Sequence, residues 1–241
     1  MPEKTSPPPP AQGLIDIHCH QLSDSDHRQI LSNDVHELAN GPVEALDQIE
    51  ALLTGRHYMS LGMHPWFIKT QNIETAFLTL KYCTHHPKIL AIGECGLDKC
   101  IDTPMSVQVE VFSRQVRLSE ELGKPLIIHC VRAFAEFLQL KKSLTPTQPW
   151  IMHGFTGKPA LAAQLIQHGC YISFGKALLQ TGSQARQALQ AIPLEQMFLE
   201  TDAADVSIDT IYAAAAKIRG IDPVNLRRQI HSNFLNVFFN D

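Results

Sequence analysis

The sequence lacks the marks of a membrane or secreted protein. No apolar stretch reaches the roughly 18 residues that a helical span requires, and the N-terminus does not follow the basic-then-apolar plan of a signal peptide. Cysteine is sparse, with six in 241 residues. Without a secretory signal these are read as reduced thiols, so no disulfide framework is expected. Basic residues are also short: 20 Lys and Arg stand against 24 Asp and Glu, for a formal charge of -4. That balance argues against an extended basic surface for gripping duplex DNA. Nucleic acid stays open as a partner, because metal ions inside a site can neutralise the phosphate being cut. A soluble cytoplasmic protein is expected, with no membrane partner and no sign of an obligate protein partner.

What is present is a regular alternation. Residues 1–12, with Pro7-Pro8-Pro9-Pro10, read as a disordered Pro-rich tail. From there to residue 241 one domain is expected, since barrels commonly run to roughly 250 residues without splitting. Eight apolar runs suggest strands: Leu14 to His18, Gln29 to Ser32, Tyr58 to Gly62, Ile89 to Gly93, Leu126 to His129, Trp150 to His153, Cys170 to Phe174 and Met197 to Glu200. Helix-length segments lie between most of them. Thr103-Pro104 offers an N-cap and first-turn proline ahead of Val109, Phe112 and Val116, and Asp222-Pro223 repeats the device. The pattern predicts an α/β fold of the TIM (β/α)8 type. His20 to Gln29 is too short for a helical crossover, so the first or second βα unit is expected to be shortened or irregular. An open doubly wound sheet is the alternative on periodicity alone.

Six potential metal ligands end these runs, where a parallel barrel builds its active site. His18 and His20 are two apart on a strand and so face one side. Glu94 ends the apolar run Ile89 to Gly93, where a carboxylate is costly without a cation or a strong hydrogen-bond donor. His129 and His153 close their strands in the same way, and Asp202 follows Met197 to Thr201. Four imidazoles and two carboxylates can hold two divalent ions, and Zn, Mn, Mg or Fe all suit such donors. Cys19, Cys95 and Cys130 each adjoin a proposed ligand, but strand alternation points their sulfurs away, so they are read as packing residues. The histidines at 27, 36, 57, 85, 86, 168 and 231 follow no such pattern.

As a set, these motifs resemble the TatD family of metal-dependent deoxyribonucleases in the amidohydrolase superfamily. The family's Asp-x-His-x-His matches Asp16, His18 and His20. Its Gly-x-His-Pro matches Gly62 to Pro65, its Gly-Glu-x-Gly-Leu-Asp matches Gly93 to Asp98, and its Glu-Thr-Asp matches Glu200 to Asp202. By that resemblance His18, His20 and Asp202 bind one ion and His129 and His153 the other, with Glu94 bridging both. Asp202 and Glu94 are then the catalytic residues, Asp202 as proton acceptor from a two-metal-activated water. His64 would line the substrate pocket, the alternative being a turn histidine fixed by Pro65.

The chain departs from the family in two places. His129-Cys130-Val131-Arg132 puts the Arg one residue later than the usual His-x-Arg, which affects its role toward a substrate phosphate. Ala203-Ala204-Asp205 also stands where a proline is common after Glu-Thr-Asp. The expected function is phosphodiester hydrolysis, on single-stranded DNA, strand ends or a small phosphodiester. The rivals are a hydrolase of small amides, lactones or phosphoesters and a metal-binding scaffold without turnover.

Overall fold

A computed structural model describes residues 13–23, 26–38, 41–53 and 55–239 of the chain. The expected tail at residues 1–12 lies outside them. The described residues form eight strands: β1 (Ile15–Cys19), β2 (Arg28–Asp34), β3 (His57–Gly62), β4 (Ile89–Asp98), β5 (Leu126–Val131), β6 (Trp150–Met152), β7 (Cys170–Phe174) and β8 (Met197–Leu199). They belong to one sheet in chain order. The pairings of β1 with β2, β3 with β4, β4 with β5 and β7 with β8 are parallel. Just past β8, Asp202 bridges back in parallel to Cys19 of β1. Parallel strands in that cyclic order, alternating with helices, make the (β/α)8 barrel class.

The helices are α1 (Pro42–Leu52), α2 (Ile73–Cys83), α3 (Met105–Leu122), α4 (Phe134–Leu144), α5 (Pro159–Gln167), α6 (Gln184–Ala191), α7 (Ile208–Arg219) and α8 (Pro223–Phe238). Among the described residues no helix separates β1 from β2, so the irregular unit is the first. None of the helices is long and apolar enough to cross a membrane.

The described residues fall into two compact units, one from Ser32 to Trp150 and one formed by residues up to Leu31 with those from Ile151 onward. In the first, Trp150 is fully buried, with Phe112 at 5.4 Å and Phe137 at 5.3 Å. The buried face of α3 also carries two glutamines. Gln115 donates to Met63 O (3.0 Å) and accepts from Met63 N (2.8 Å). Gln108 likewise accepts from Asp98 N (2.7 Å) and donates to Asp98 O (2.9 Å). These amide clamps satisfy buried backbone groups where β3 and β4 end, which fixes the residues that follow.

Two expectations need correction here. Strand β4 runs on to Asp98 rather than stopping at Gly93, because two glycines let it stay against β5. A Cβ on Gly93 (φ 144°) would lie 2.4 Å from Ile127 O, and one on Gly96 (φ 145°) only 2.0 Å from His129 O. Register shifts between Ile92 and Cys95, so Glu94 sits at an irregularity that only glycine neighbours permit. The second correction concerns α3. Its N-cap is Pro104, with no side-chain cap, and Met105 is the first helical residue. Pro104 keeps an extended backbone (ψ 138°), so the proline stands one place before the helix and Thr103 caps nothing.

In the second unit, α8 packs against the lower part of β8. Phe198 meets Phe238 at 6.1 Å, and Asn233 donates to Leu194 O (2.7 Å) and Met197 O (2.9 Å). Helix α7 sends the Tyr212 hydroxyl to Ile15 O at 3.0 Å, tying down the start of β1. The Asp222-Pro223 start of α8 is as expected: Asp222 accepts from Val224 N (2.7 Å), and Pro223 takes the first turn.

Candidate metal centres

The second unit brings together His18, His20 and Asp202, with ligand atoms all within 4.8 Å of one another. His18 is fully buried and His20 exposed. Their Nε2 atoms lie 3.7 and 3.4 Å from Asp202 Oδ1. Asp202 adopts a left-handed backbone (φ 54°), a conformation that Asp tolerates better than most residues. Two backbone bonds hold it there: Asp202 N donates to His18 O (2.9 Å), and His20 N donates to Asp202 O (3.3 Å). The bridge between the ends of β1 and β8 is thus what sets both imidazoles against the carboxylate.

Two further buried carboxylates stand behind this trio. Asp16 accepts from Thr201 N (3.0 Å) and Thr201 Oγ1 (2.6 Å). Burial pushes the Asp16 carboxyl up to about 7, the Thr201 bonds opposing and the neighbouring Glu200 charge adding to the rise. Glu200 accepts from Gly154 N at 2.6 Å, and its Oε1 is 3.6 Å from His153 Nδ1. The His153 ring in turn lies 4.2 Å from that of His18. Glu200 Oε2 is buried without a hydrogen-bond partner among the described residues.

The first unit brings together His64, Glu94 and His129, again with ligand atoms within 4.8 Å. Glu94 Oε1 is the hub, 3.1 Å from His64 Nε2 and 2.8 Å from His129 Nδ1. His64 Nδ1 accepts from Trp66 N at 3.1 Å, so a neutral His64 ring carries its proton on Nε2 and donates it to Glu94. Burial holds His64 below the ordinary histidine range, against the pull of Glu94, which favours that neutral form. His64 therefore caps the short 3-10 helix Pro65–Thr70 with one nitrogen and orients Glu94 with the other. The turn role is thus present, together with a bond to Glu94.

His129 is fixed from the opposite side. Its Nε2 lies 3.0 Å from Asp98 Oδ2, which also accepts from the Trp66 indole at 2.8 Å. Asp98 Oδ1 accepts from Cys100 N at 2.7 Å. Burial pushes the Asp98 carboxyl up, but these bonds outweigh it and hold it below the usual carboxylate range. An ionised Asp98 only accepts, so Nε2 bears the proton and Nδ1 turns its lone pair toward the Glu94 oxygen. A lone pair facing a carboxylate oxygen at 2.8 Å calls for a proton shared between them, on either group, or for a divalent ion that both atoms would face. Imidazole nitrogens and carboxylate oxygens in this arrangement fit a divalent metal.

Sequence reasoning passed over several of these neighbours. Asp98 and Trp66 lie within or beside quoted motifs but carried no assigned role. Asp34 carries only the local signal of a capping box with Glu37, which points to a turn and not to the site: it is buried, caps the turn Val35–Glu37 and accepts from His64 N. His36 was set aside with the unpatterned histidines, yet its Nδ1 lies 2.9 Å from Asp34 Oδ1 and its ring stacks on Phe67 at 3.8 Å. Arg132 follows β5 and is exposed, with a left-handed backbone (φ 54°). Cys19 and Cys95 point their sulfurs to the carbonyls of Ile30 (3.5 Å) and Ile127 (3.7 Å). Burial raises both thiols, and Cys130 to about 12, so they are protonated packing groups.

Comparison with known proteins adds a lineage to this geometry. The family model described as TatD related DNase matches residues 15–239. The human 3'-5' RNA nuclease TATDN2 is 33% identical over 229 residues, covering 84% of this chain and 30% of that protein. The 3'-5' ssDNA/RNA exonuclease TatD of Cronobacter turicensis is 34% identical over 151 residues, covering 61% of this chain and 57% of that protein. The matched region thus spans about a third of the human relative and just over half of the bacterial one. In fold, the chain is similar to the crystal structure of YJJV, a TatD homologue of Escherichia coli, with a TM-score of 0.78 and 20% identity over 95% of this chain and 98% of that one.

Proposed function

Because the chain belongs to the TatD-related DNase family, we propose that it is a metal-dependent phosphodiesterase acting on single-stranded nucleic acid, at strand ends or in short strands. The observation that carries this reading is the meeting of His129 Nδ1 and Glu94 Oε1 at 2.8 Å, with Nε2 committed to Asp98. That arrangement is stable around a cation and poor without one. The names of relatives that act on RNA or on single-stranded DNA support a single-stranded substrate. The scarcity of basic residues is consistent with it.

His18, His20 and Asp202 serve as metal ligands in this reading, as do Glu94, His129 and His153, and two divalent ions per chain are expected. Such ions supply Lewis acidity toward a phosphoryl oxygen and bring the pKa of a water toward neutrality. The protein's own groups do the rest. Asp202, partly exposed, accepts the proton of the attacking water. His64 holds Glu94 through its Nε2 proton, and Asp98 fixes the His129 tautomer, an arrangement that keeps ligand lone pairs aimed inward. Arg132 is free to meet a substrate phosphate at the rim. No covalent enzyme intermediate is needed, and the cytoplasm is the proposed compartment.

A substrate panel tests the reading: end-labelled single-stranded DNA and RNA, duplex DNA, a small chromogenic phosphodiester, an amide and a lactone, with Mg, Mn and Zn supplied in turn. Single strands should be cut faster than duplex, and Arg132→Ala should slow strand cleavage more than cleavage of the small phosphodiester. Amide or lactone hydrolysis without phosphodiester cleavage would overturn it. Full metal occupancy with no turnover on any substrate would favour the scaffold reading.

A further inference from the structure

The chain has two tryptophans, and they are placed oppositely. Trp150 is fully buried, while Trp66 is 56% exposed. Among the described residues the other exposed large apolar side chains are Val43, Leu52, Leu78, Tyr82, Leu179 and Val224, none with a bond to the ionisable cluster there. Trp66 alone among these stands against it. Its indole N–H donates to Asp98 Oδ2 at 2.8 Å, its backbone N–H caps onto His64 Nδ1, and Pro65 precedes it in the 3-10 turn.

Trp66 meets the His64 ring at 5.0 Å and 84°, and the His129 ring at 5.9 Å and 77°. Both contacts are edge-on, so neither imidazole stacks upon the indole. Phe67, the next residue, is already stacked on His36. The result is a broad aromatic side chain, pinned at its polar atom on a residue that is more than half exposed, beside the carboxylate that orients His129. Exposing so large an apolar ring has no packing benefit. Holding it still in advance lowers the entropy lost when a flat partner lies on it.

We propose that Trp66 is a stacking platform for a nucleobase of the strand whose phosphate is cut, a proposal that rests on the nuclease reading above. Every base has a π-face, so such a platform grips single strands without choosing sequence. Paired bases in a duplex are already stacked on their neighbours and have less to offer it. The platform thus supplies a strand preference that the chain's acidic charge balance does not.

The test uses the intrinsic fluorescence of the full chain, because Trp66 is its exposed indole. A short phosphorothioate single strand, and the same strand carrying an abasic site, are titrated into wild type, Trp66→Phe and Trp66→Ala. Affinities for the two variants are read by anisotropy of a labelled strand. Both variants lose the N–H to Asp98, so any effect relayed through His129 is common to them. Stacking is the difference between them. The base-bearing strand should quench wild-type emission far more than the abasic one. Trp66→Ala should bind it on the order of ten-fold more weakly than Trp66→Phe, while the two variants turn over a small phosphodiester alike. Equal strand affinity of the Phe and Ala variants would overturn the platform, as would equal quenching by the abasic strand. A wild type that cuts strands but shows either result removes only Trp66 from the account. A wild type that cuts no phosphodiester removes the nuclease reading, and this proposal with it.

Discussion

Asp98 offers the sharpest perturbation of the site, since it is not one of the proposed ligands and acts through His129. Its two oxygens take the His129 Nε2 proton, the Trp66 indole and Cys100 N. In Asp98→Ala the last two donors can turn to water, Trp66 being exposed, but His129 cannot easily do so. A lost charge-assisted bond to a buried donor costs about 2 kcal/mol in stability. The larger effect is on metal affinity. Without Asp98 the His129 proton is free to move to Nδ1, and the lone pair facing Glu94 is lost in part of the population. Loss of such a supporting carboxylate typically weakens metal binding 10–100-fold, or about 1.4–2.7 kcal/mol. Thermal unfolding of the metal-free protein reads the first quantity, and competition with a chelator for Zn or Mn reads the second. Asp98→Asn, which keeps one acceptor oxygen, should fall between. If Asp98→Ala folds and binds metal as tightly as wild type, the tautomer argument is wrong.

Asp16 gives a pH signature in the metal-free protein. Its carboxyl stands at about 7 against an ordinary 3.8, so between those values the folded chain keeps a proton that the unfolded chain has released. Stability is therefore lost as pH rises from about 4 to about 7, by at most about 4 kcal/mol. Asp16→Asn should flatten this slope in urea unfolding, and an unchanged slope would refute the assignment. Gly96→Ala puts a Cβ 2.0 Å from His129 O at φ 145°, and should cost at least about 2 kcal/mol in chemical unfolding; a neutral result would mean that β4 and β5 separate without penalty. Asp202→Asn should fold and keep at least one ion yet lose nearly all turnover in single-turnover kinetics, because an amide cannot take the proton.

The proposed ligands were legible because each ends a run of apolar residues, and a charged or basic group there is anomalous whatever the fold. His18 and His20 needed only the two-residue period of a strand. The distance between His20 and Gln29 marked the first or second unit as irregular, and among the described residues it is the first that lacks a helix. What was hidden lies in contacts between elements distant in sequence. Asp34 reaches His64 across 30 residues and Gln115 reaches Met63 across 52, and no local pattern marks either contact. The length of β4 was missed because glycine in a strand usually signals a break, whereas Gly93 and Gly96 here allow close approach to β5. His64 was read as either turn or pocket because a sequence does not reveal that one ring can cap a turn with one nitrogen and bond Glu94 with the other.

The most direct measurement strips the wild type with a chelator and follows digestion of end-labelled single strands as Mn, Mg or Zn is returned, with metal content determined on the same sample. The stripped protein should be inert and regain activity as up to two ions bind, while Glu94→Gln should regain neither full metal content nor turnover. Strand digestion at full rate by the stripped protein, or a Glu94→Gln sample indistinguishable from wild type in both metal and rate, would contradict the assignment.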